Sequence, residues 1–250
     1  MQKPYVKLKN KNGVGYIEFF HPAQNSLPGN LLSELARTIT LAGEDNRIKV
    51  IVLQSGGDRT FCAGASFNEL VDINDEETGK IFFSGFANVI NAMRKCPKFI
   101  IGRIQGKTVG GGVGLAAATD YCMATTYAQI KLSELNVGIG PFVVGPAVQR
   151  KLGLSGLSQI AIDANTFYSA EWAMQKGLYT QVFDSTEALD EAVKTFAEGL
   201  CAYNPKAMSE MKTMFWRGTE DWDQLLVQRA KISGRLVLSE FTKEKLRGYE

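Results

Sequence analysis

The stretch from Gly106 to Asp120, Gly-Lys-Thr-Val-Gly-Gly-Gly-Val-Gly-Leu-Ala-Ala-Ala-Thr-Asp, has to turn a strand into a helix within a few residues. Ahead of it, Phe99-Ile100-Ile101-Gly102-Arg103-Ile104 has the apolar pattern of a buried strand, and behind it Leu115 to Ala118 are helix formers. Gly110, Gly111 and Gly112 therefore stand at a helix start, where the first N–H groups have no intrahelical acceptor and the helix dipole is positive. Such a start suits a phosphate, or a carbonyl oxygen that gains negative charge, and glycines let that atom approach the backbone. A glycine cluster alone equally fits a tight turn packed under a helix, so the rest of the chain has to decide.

The chain has 250 residues, 45% of them hydrophobic, enough for one large core or two modest ones. Acids and bases nearly balance at a formal charge of +2, with no basic block of the kind that tracks nucleic acid, so nucleic-acid binding is not expected. Cys62, Cys96, Cys122 and Cys201 are widely spaced and form no Cys-x-x-Cys pair, which argues against a disulfide framework or a zinc knuckle and for a reducing compartment. The N-terminal residues enter strand-like alternation at once, and no apolar run has membrane length. The reading is a soluble, cytoplasmic protein with no membrane partner.

One histidine, His21, sits in a polar loop near Pro22 and Pro28, where a turn or surface role is expected. A Ser or Cys triad would need it, and two-histidine metal motifs are excluded; no metal site is expected. Acid–base chemistry then falls to carboxylates or backbone donors.

Residues 5 to 20 read as a hairpin around Lys11-Asn12-Gly13, and Pro28 opens an amphipathic helix with Leu31, Leu32, Leu35, Ile39 and Leu41 on its apolar face. Lys49 to Leu53 is a buried strand, so the connection is a parallel crossover. A helix over 74–95, with Ile81, Phe82, Phe86, Val89, Ile90 and Met93 inward, feeds the strand before the glycines. Short strands at 121–125 and 130–132 follow, then helices over 144–151, 155–164 and 169–177, a strand at 179–183, and tail helices near 186–203, 205–217 and 222–247. The tail is apolar on more than one face, at Phe215, Trp216, Trp222, Leu225 and Leu236 among others, and needs a partner surface.

A second loop repeats the design of the first. Asp58 to Leu70 contains Phe61-Cys62-Ala63-Gly64-Ala65-Ser66, and Ser66 with Glu69 forms a capping box ahead of a short helix. Both loops follow parallel strands, whose ends are where ligands sit in α/β sheets, and two converging backbone donors make an oxyanion hole.

Phe61-Cys62-Ala63-Gly64-Ala65 resembles the Phe-x-Ala-Gly-Ala-Asp loop of the crotonase, or enoyl-CoA hydratase/isomerase, superfamily. Gly106 with Gly110-Gly111-Gly112 and Thr119-Asp120 resembles that family's glycine loop. Ser133-Glu134-Leu135 with Gly138-Ile139-Gly140-Pro141, Gln149 to Gly153, and Ser169 to Ala173 with Gly177-Leu178 continue the likeness, in order, from about residue 14 to about 215. The resemblance implies an α/β fold, a crotonase-like spiral of ββα units with a C-terminal helical extension: an acyl-CoA-binding core over 1–200 and a helical trimerisation region over 201–250. It implies a coenzyme A thioester as substrate and partner, no separate cofactor, and a homotrimer or dimer of trimers.

By the same resemblance the thioester oxygen lies between the N–H groups of Ala63 and Gly111, with Gly64, Ala65, Ser66, Gly110 and Gly114 around the ligand and the adenosine end near Ala23, Asn25 and Ser26. Hydratases of the family carry two glutamates. Here the first position is Gly114 and only the second, Glu134, is a carboxylate, which is similar to the family's enoyl-CoA isomerases, with Glu134 as acid/base. A hydratase using Glu134 with Glu69 or Asp72, and a catalytically silent acyl-CoA binder, are the alternatives. Ser66 replaces the family's Asp, Cys62 reads as filler, and Asp120 and Tyr121 read as structural. Gly112-x-Gly114-x-x-Ala117 also imitates a dinucleotide fingerprint, but the helix after it is too short for a crossover.

Overall fold

The computed structural model describes residues 2–247. The chain opens with the hairpin β1 (Tyr5–Lys11) and β2 (Val14–Phe20), antiparallel, with Asn12 and Gly13 at positive φ in the turn. Then come α1 (Gly29–Glu44), β3 (Val50–Ser55), β4 (Thr60–Cys62), α2 (Phe67–Val71) and α3 (Glu76–Lys95). The pattern repeats with β5 (Ile100–Ile104), β6 (Lys107–Val109) and α4 (Gly111–Ala117), and again with β7 (Tyr121–Thr125), β8 (Ile130–Lys131), a 3-10 turn (Glu134–Val137) and α5 (Gly145–Ile162). After α6 (Ala170–Gln175) and β9 (Gln181–Phe183), the tail is α7 (Thr186–Leu200), α8 (Pro205–Phe215), α9 (Trp222–Leu236) and α10 (Glu240–Arg247).

Each repeat places one strand in a six-stranded sheet of order β1-β2-β3-β5-β7-β9 and the next in a three-stranded sheet of order β4-β6-β8. Apart from β1, all the strands run parallel to their neighbours. This is the expected spiral of ββα units. Alternation along the large sheet explains its two packed faces: Ile17, Phe19, Ile51, Leu53 and Ile100 join the core with α1 and α3, while Val14, Val50, Val52, Ile101 and Met123 meet Leu189, Val193 and Ala197 of α7.

Trp216, Trp222, Leu226 and Ala230 join the same core as the sheet. Lys212 of α8 is 2% exposed and its Nζ lies 2.8 Å from Asp120 Oδ2. Met1 and residues 248–250, the outer ends of the two expected regions, lie outside the described residues.

Several local expectations need correction. The helix expected over 222–247 is two helices: Ser239 Oγ donates to Leu236 O (2.7 Å) and accepts from Thr242 N–H (3.3 Å), which breaks the run so that Val237 and Leu246 can pack on Ile139. Ile81 (63% exposed) and Leu41 (47%) lie off the inner faces assigned to them, since each falls beyond the buried stripe of its helix. The break expected between the helices over 144–151 and 155–164 is present, as a kink at Gly153, φ 69, inside α5.

Candidate active site

The two glycine-bearing loops meet. Gly64 has φ +95, and a Cβ built there would lie 3.3 Å from Val109 O and 3.7 Å from Gly111 N, so a left-handed glycine is what lets the first loop reach the second. Gly112 is pressed against Cys62: its Cβ would lie 2.7 Å from Cys62 O. The Gly111 Cα faces the Phe86 ring, leaving no room for a side chain. Neither the Ala63 nor the Gly111 N–H donates to an acceptor among the described residues, and Gly111 opens α4, where such donors are free.

Ser66 Oγ caps α2 by accepting from Glu69 N–H at 3.4 Å. The reciprocal half of the capping box is not formed. Glu69 Oε2 instead accepts from Gly29 N–H (2.8 Å) at the start of α1, and Ser66 N–H donates to Leu27 O (3.2 Å).

These loops wall a cavity of about 740 Å³. Ala23, Ser26, Ala63, Gly64, Ala65, Ser66, Gly110, Gly111 and Glu134 all line it. Asn25 and Gly114 do not. Asn25 is buried behind the loop, its Nδ2 donating to Gly56 O and Thr60 O (both 2.8 Å) and its Oδ1 accepting from His21 N–H (2.8 Å), so it shapes the loop that carries Ala23 and Ser26. Gly114 is buried in α4 against Val144. The apolar walls are Phe67 and Leu70 of α2, Phe82, Phe83 and Phe86 of α3, and Phe142 to Val144.

Glu134 opens the 3-10 turn after β8, and the left-handed Gly138 (φ 79) ends that turn. Its Oε1 would stand 3.2 Å from a Cβ on Gly110, beside the glycine triplet. The residue as a whole is half-buried, but Oε2 is closed off from solvent with no hydrogen-bond partner among the described residues. Burial pushes its carboxyl from 4.5 up to about 7, partly opposed by a hydrogen bond from its own backbone N–H. A carboxyl in this state holds or accepts a proton near neutrality. Glu69 and Asp72, weighed as a second acid, are outside the lining. Burial also pushes the Cys62 thiol up to about 12, which fits a filler role.

The sequence profile of the enoyl-CoA hydratase/isomerase family matches residues 9–248. The chain belongs to this family. The peroxisomal delta(3,5)-delta(2,4)-dienoyl-CoA isomerase of Arabidopsis thaliana is 28% identical to it over 211 residues, covering 78% of this chain and 74% of that protein. The short-chain-enoyl-CoA hydratase of Clostridium acetobutylicum is 25% identical over 252 residues, covering 100% of this chain and 95% of that protein. The crystal structure of an enoyl-CoA hydratase from Bacillus halodurans superposes with a TM-score of 0.90 at 21% identity, covering 98% of this chain and 99% of that one, a likeness of fold.

The chain is thus an acyl-CoA enzyme of the enoyl-CoA hydratase/isomerase family with the crotonase fold. Its cavity also takes residues that sequence reading missed. His21, assigned to the surface, lines the mouth, where its Nδ1 accepts from Ala23 N–H (3.3 Å) and burial lowers its pKa below 6.5. Lys131 comes in from β8, where it pairs with Val109 of β6, and Ser233 comes in from α9. Alternation along β8 could have flagged Lys131; nothing local marks Ser233, because its place depends on how the tail folds back. No helix among the described residues is long and apolar enough to cross a membrane.

Proposed function

We propose that this enzyme shifts a double bond in an enoyl-CoA thioester, with Glu134 as the single acid/base and the N–H groups of Ala63 and Gly111 holding the thioester oxygen. The observation that carries this reading is that Glu134 is the one carboxylate among the residues lining the cavity, while the place of a second, residue 114, is filled by Val144.

Glu134 ionises near neutrality and takes a proton from a carbon of the acyl chain. The C–H electron pair moves into a conjugated enolate whose oxygen carries the charge between the two backbone donors. Each well-placed donor of such a hole supplies about 3 to 4 kcal/mol of transition-state stabilisation. Protonated Glu134 then returns the proton to another carbon of the same chain, so the product has the formula of the substrate. No cofactor takes part in these steps, and the coenzyme A thioester is the substrate itself.

Hydration is the competing activity, and it needs water activated beside Glu134. Mass analysis of reactions with 2-enoyl and 3-enoyl thioesters in heavy-oxygen water separates the two. An isobaric double-bond shift is expected; label uptake in the main product overturns the isomerase reading, and no turnover of either series supports a silent binder.

Residues 201–250 are retained in this proposal as a region through which copies associate into trimers. Met211, Met214 and Phe215 of α8 are 45%, 51% and 45% exposed, an apolar surface that suits a neighbouring copy. A monomer in sedimentation at micromolar concentration would overturn this.

A further inference from the structure

Although α9 belongs to the tail, it supplies a wall of the cavity. Gly79 of α3 and Gly234 of α9 meet at backbone contact: a Cβ built on Gly79 would lie 2.8 Å from Gly234 Cα, and one built on Gly234 would lie 2.9 Å from Gly79 C. Side chains at either position would hold the helices apart. The close approach brings the neighbouring Ser233 to the cavity, where it is 1% exposed and shares the lining with Leu70, Phe82 and Phe83.

The Ser233 backbone carbonyl accepts from Val237 N–H at 3.0 Å, and its side chain carries a hydroxyl in an otherwise apolar stretch of the lining. A serine inside a helix commonly satisfies its hydroxyl on the carbonyl four residues back. At the cavity wall a ligand oxygen is an alternative partner for that hydroxyl, one that the neighbouring Leu70, Phe82 and Phe83 side chains do not offer.

The position along α3 sets the distance. Phe86 abuts Gly111, the proposed oxygen-holding residue, and Gly79 lies about two turns earlier on the same helix, on the order of 10 Å away. At roughly 1.3 Å of advance per staggered C–C bond, that span corresponds to roughly 8 bonds. The basic residues of the lining, His21 and Lys131, sit on the loop after β2 and on β8 rather than on α9 or α3.

We infer that Ser233 recognises an uncharged oxygen substituent, a hydroxyl or keto group, near the distal end of a medium-length acyl chain. This rests on the reading of the cavity as a thioester site, and makes the tail helix part of substrate selection.

Equilibrium binding of three saturated thioesters tests it: butyryl-CoA, octanoyl-CoA and 8-hydroxyoctanoyl-CoA, titrated calorimetrically. The wild-type enzyme is expected to bind the hydroxylated chain roughly 2- to 10-fold more tightly than octanoyl-CoA, the range of one net hydrogen bond. Ser233→Ala should reduce that ratio to one or below, and Ser233→Cys, which keeps the side chain's connectivity at slightly larger size and bonds weakly, should do the same. Equal or weaker binding of the hydroxylated chain by wild type, or a preference that survives in both variants, overturns the inference and leaves the thioester reading intact. Failure of butyryl-CoA to bind the wild-type enzyme overturns both.

Discussion

Val144 occupies the space into which any side chain at Gly114 would grow: a Cβ on Gly114 would lie 2.5 Å from Val144 Cγ1 and 2.7 Å from its Cβ. The position that would carry a second glutamate is therefore empty of a carboxylate and closed to one. Adding a glutamate there is a natural way to seek hydratase activity, and the packing predicts that it fails. Gly114→Glu should lower stability by at least the 1–3 kcal/mol typical of overpacking, without label uptake from heavy-oxygen water. Gly114→Glu with Val144→Gly restores room, and a gain in hydration is expected only in that pair. Denaturant midpoints and product masses measure both.

The raised pKa of Glu134 gives a stability signature with a definite sign. Below about 4.5 the carboxyl is protonated in both folded and unfolded chains. Between 4.5 and about 7 the unfolded chain loses this proton while the folded one keeps it, so this residue's contribution falls as pH rises through that window. Above about 7 the full cost, about 3 kcal/mol, is in place. Glu134→Gln removes the group, so the variant should match wild type near pH 4 and be the more stable protein near pH 8 in urea unfolding. Equal stability at both pH values would contradict the buried, unpaired carboxyl.

Asp120 and Lys212 tie the tail to the sheet. Besides the ion pair, Asp120 Oδ2 accepts from Ile100 N–H and its Oδ1 accepts from Trp216 Nε1–H, while Lys212 Nζ donates to Lys98 O, each at 2.8 Å. Lys212→Met strands the buried carboxylate and should cost about 3–5 kcal/mol. Adding Asp120→Asn should recover part of that loss, and a strictly additive double variant would show that the pair is not coupled.

Cys62 touches the backbone of the second loop yet should be chemically silent. Its thiol is fully buried and held up to about 12, so alkylation at pH 8 should proceed only as fast as the chain unfolds. Modification of the native protein at the rate of a free thiol would show that this loop opens.

The parts of the fold that could be read from sequence are those governed by short-range rules. Apolar runs at 50–53 and 100–104 and the amphipathic pattern of residues 31–39 give strands and a helix where the structure has them. The glycine triplet and the Ala63 to Ser66 loop were legible because close backbone approach leaves a mark in composition. What was not legible depends on distant parts of the chain. Ser233 enters the cavity because two glycines, one on each helix, let α9 lie on α3. Glu69 leaves its capping box because the start of α1 stands within reach of its carboxylate. Asn25 looks like a ligand contact in sequence, but three backbone groups from elsewhere engage its side chain. The exposure of Ile81 and Leu41 has a similar origin, since the width of a buried stripe is set by what packs on it.

In the proposed reaction Glu134 is the acid/base and binding resides elsewhere, in the N–H groups of Ala63 and Gly111 and in the coenzyme A handle. Turnover of an enoyl-CoA substrate by Glu134→Gln, with thioester affinity measured alongside, tests it most directly. Turnover is expected to fall roughly 100- to 10,000-fold with affinity retained, and the wild-type rate to rise with pH through about 7 as the carboxyl ionises. Wild-type turnover surviving in Glu134→Gln would place the base on another residue and contradict this role for Glu134.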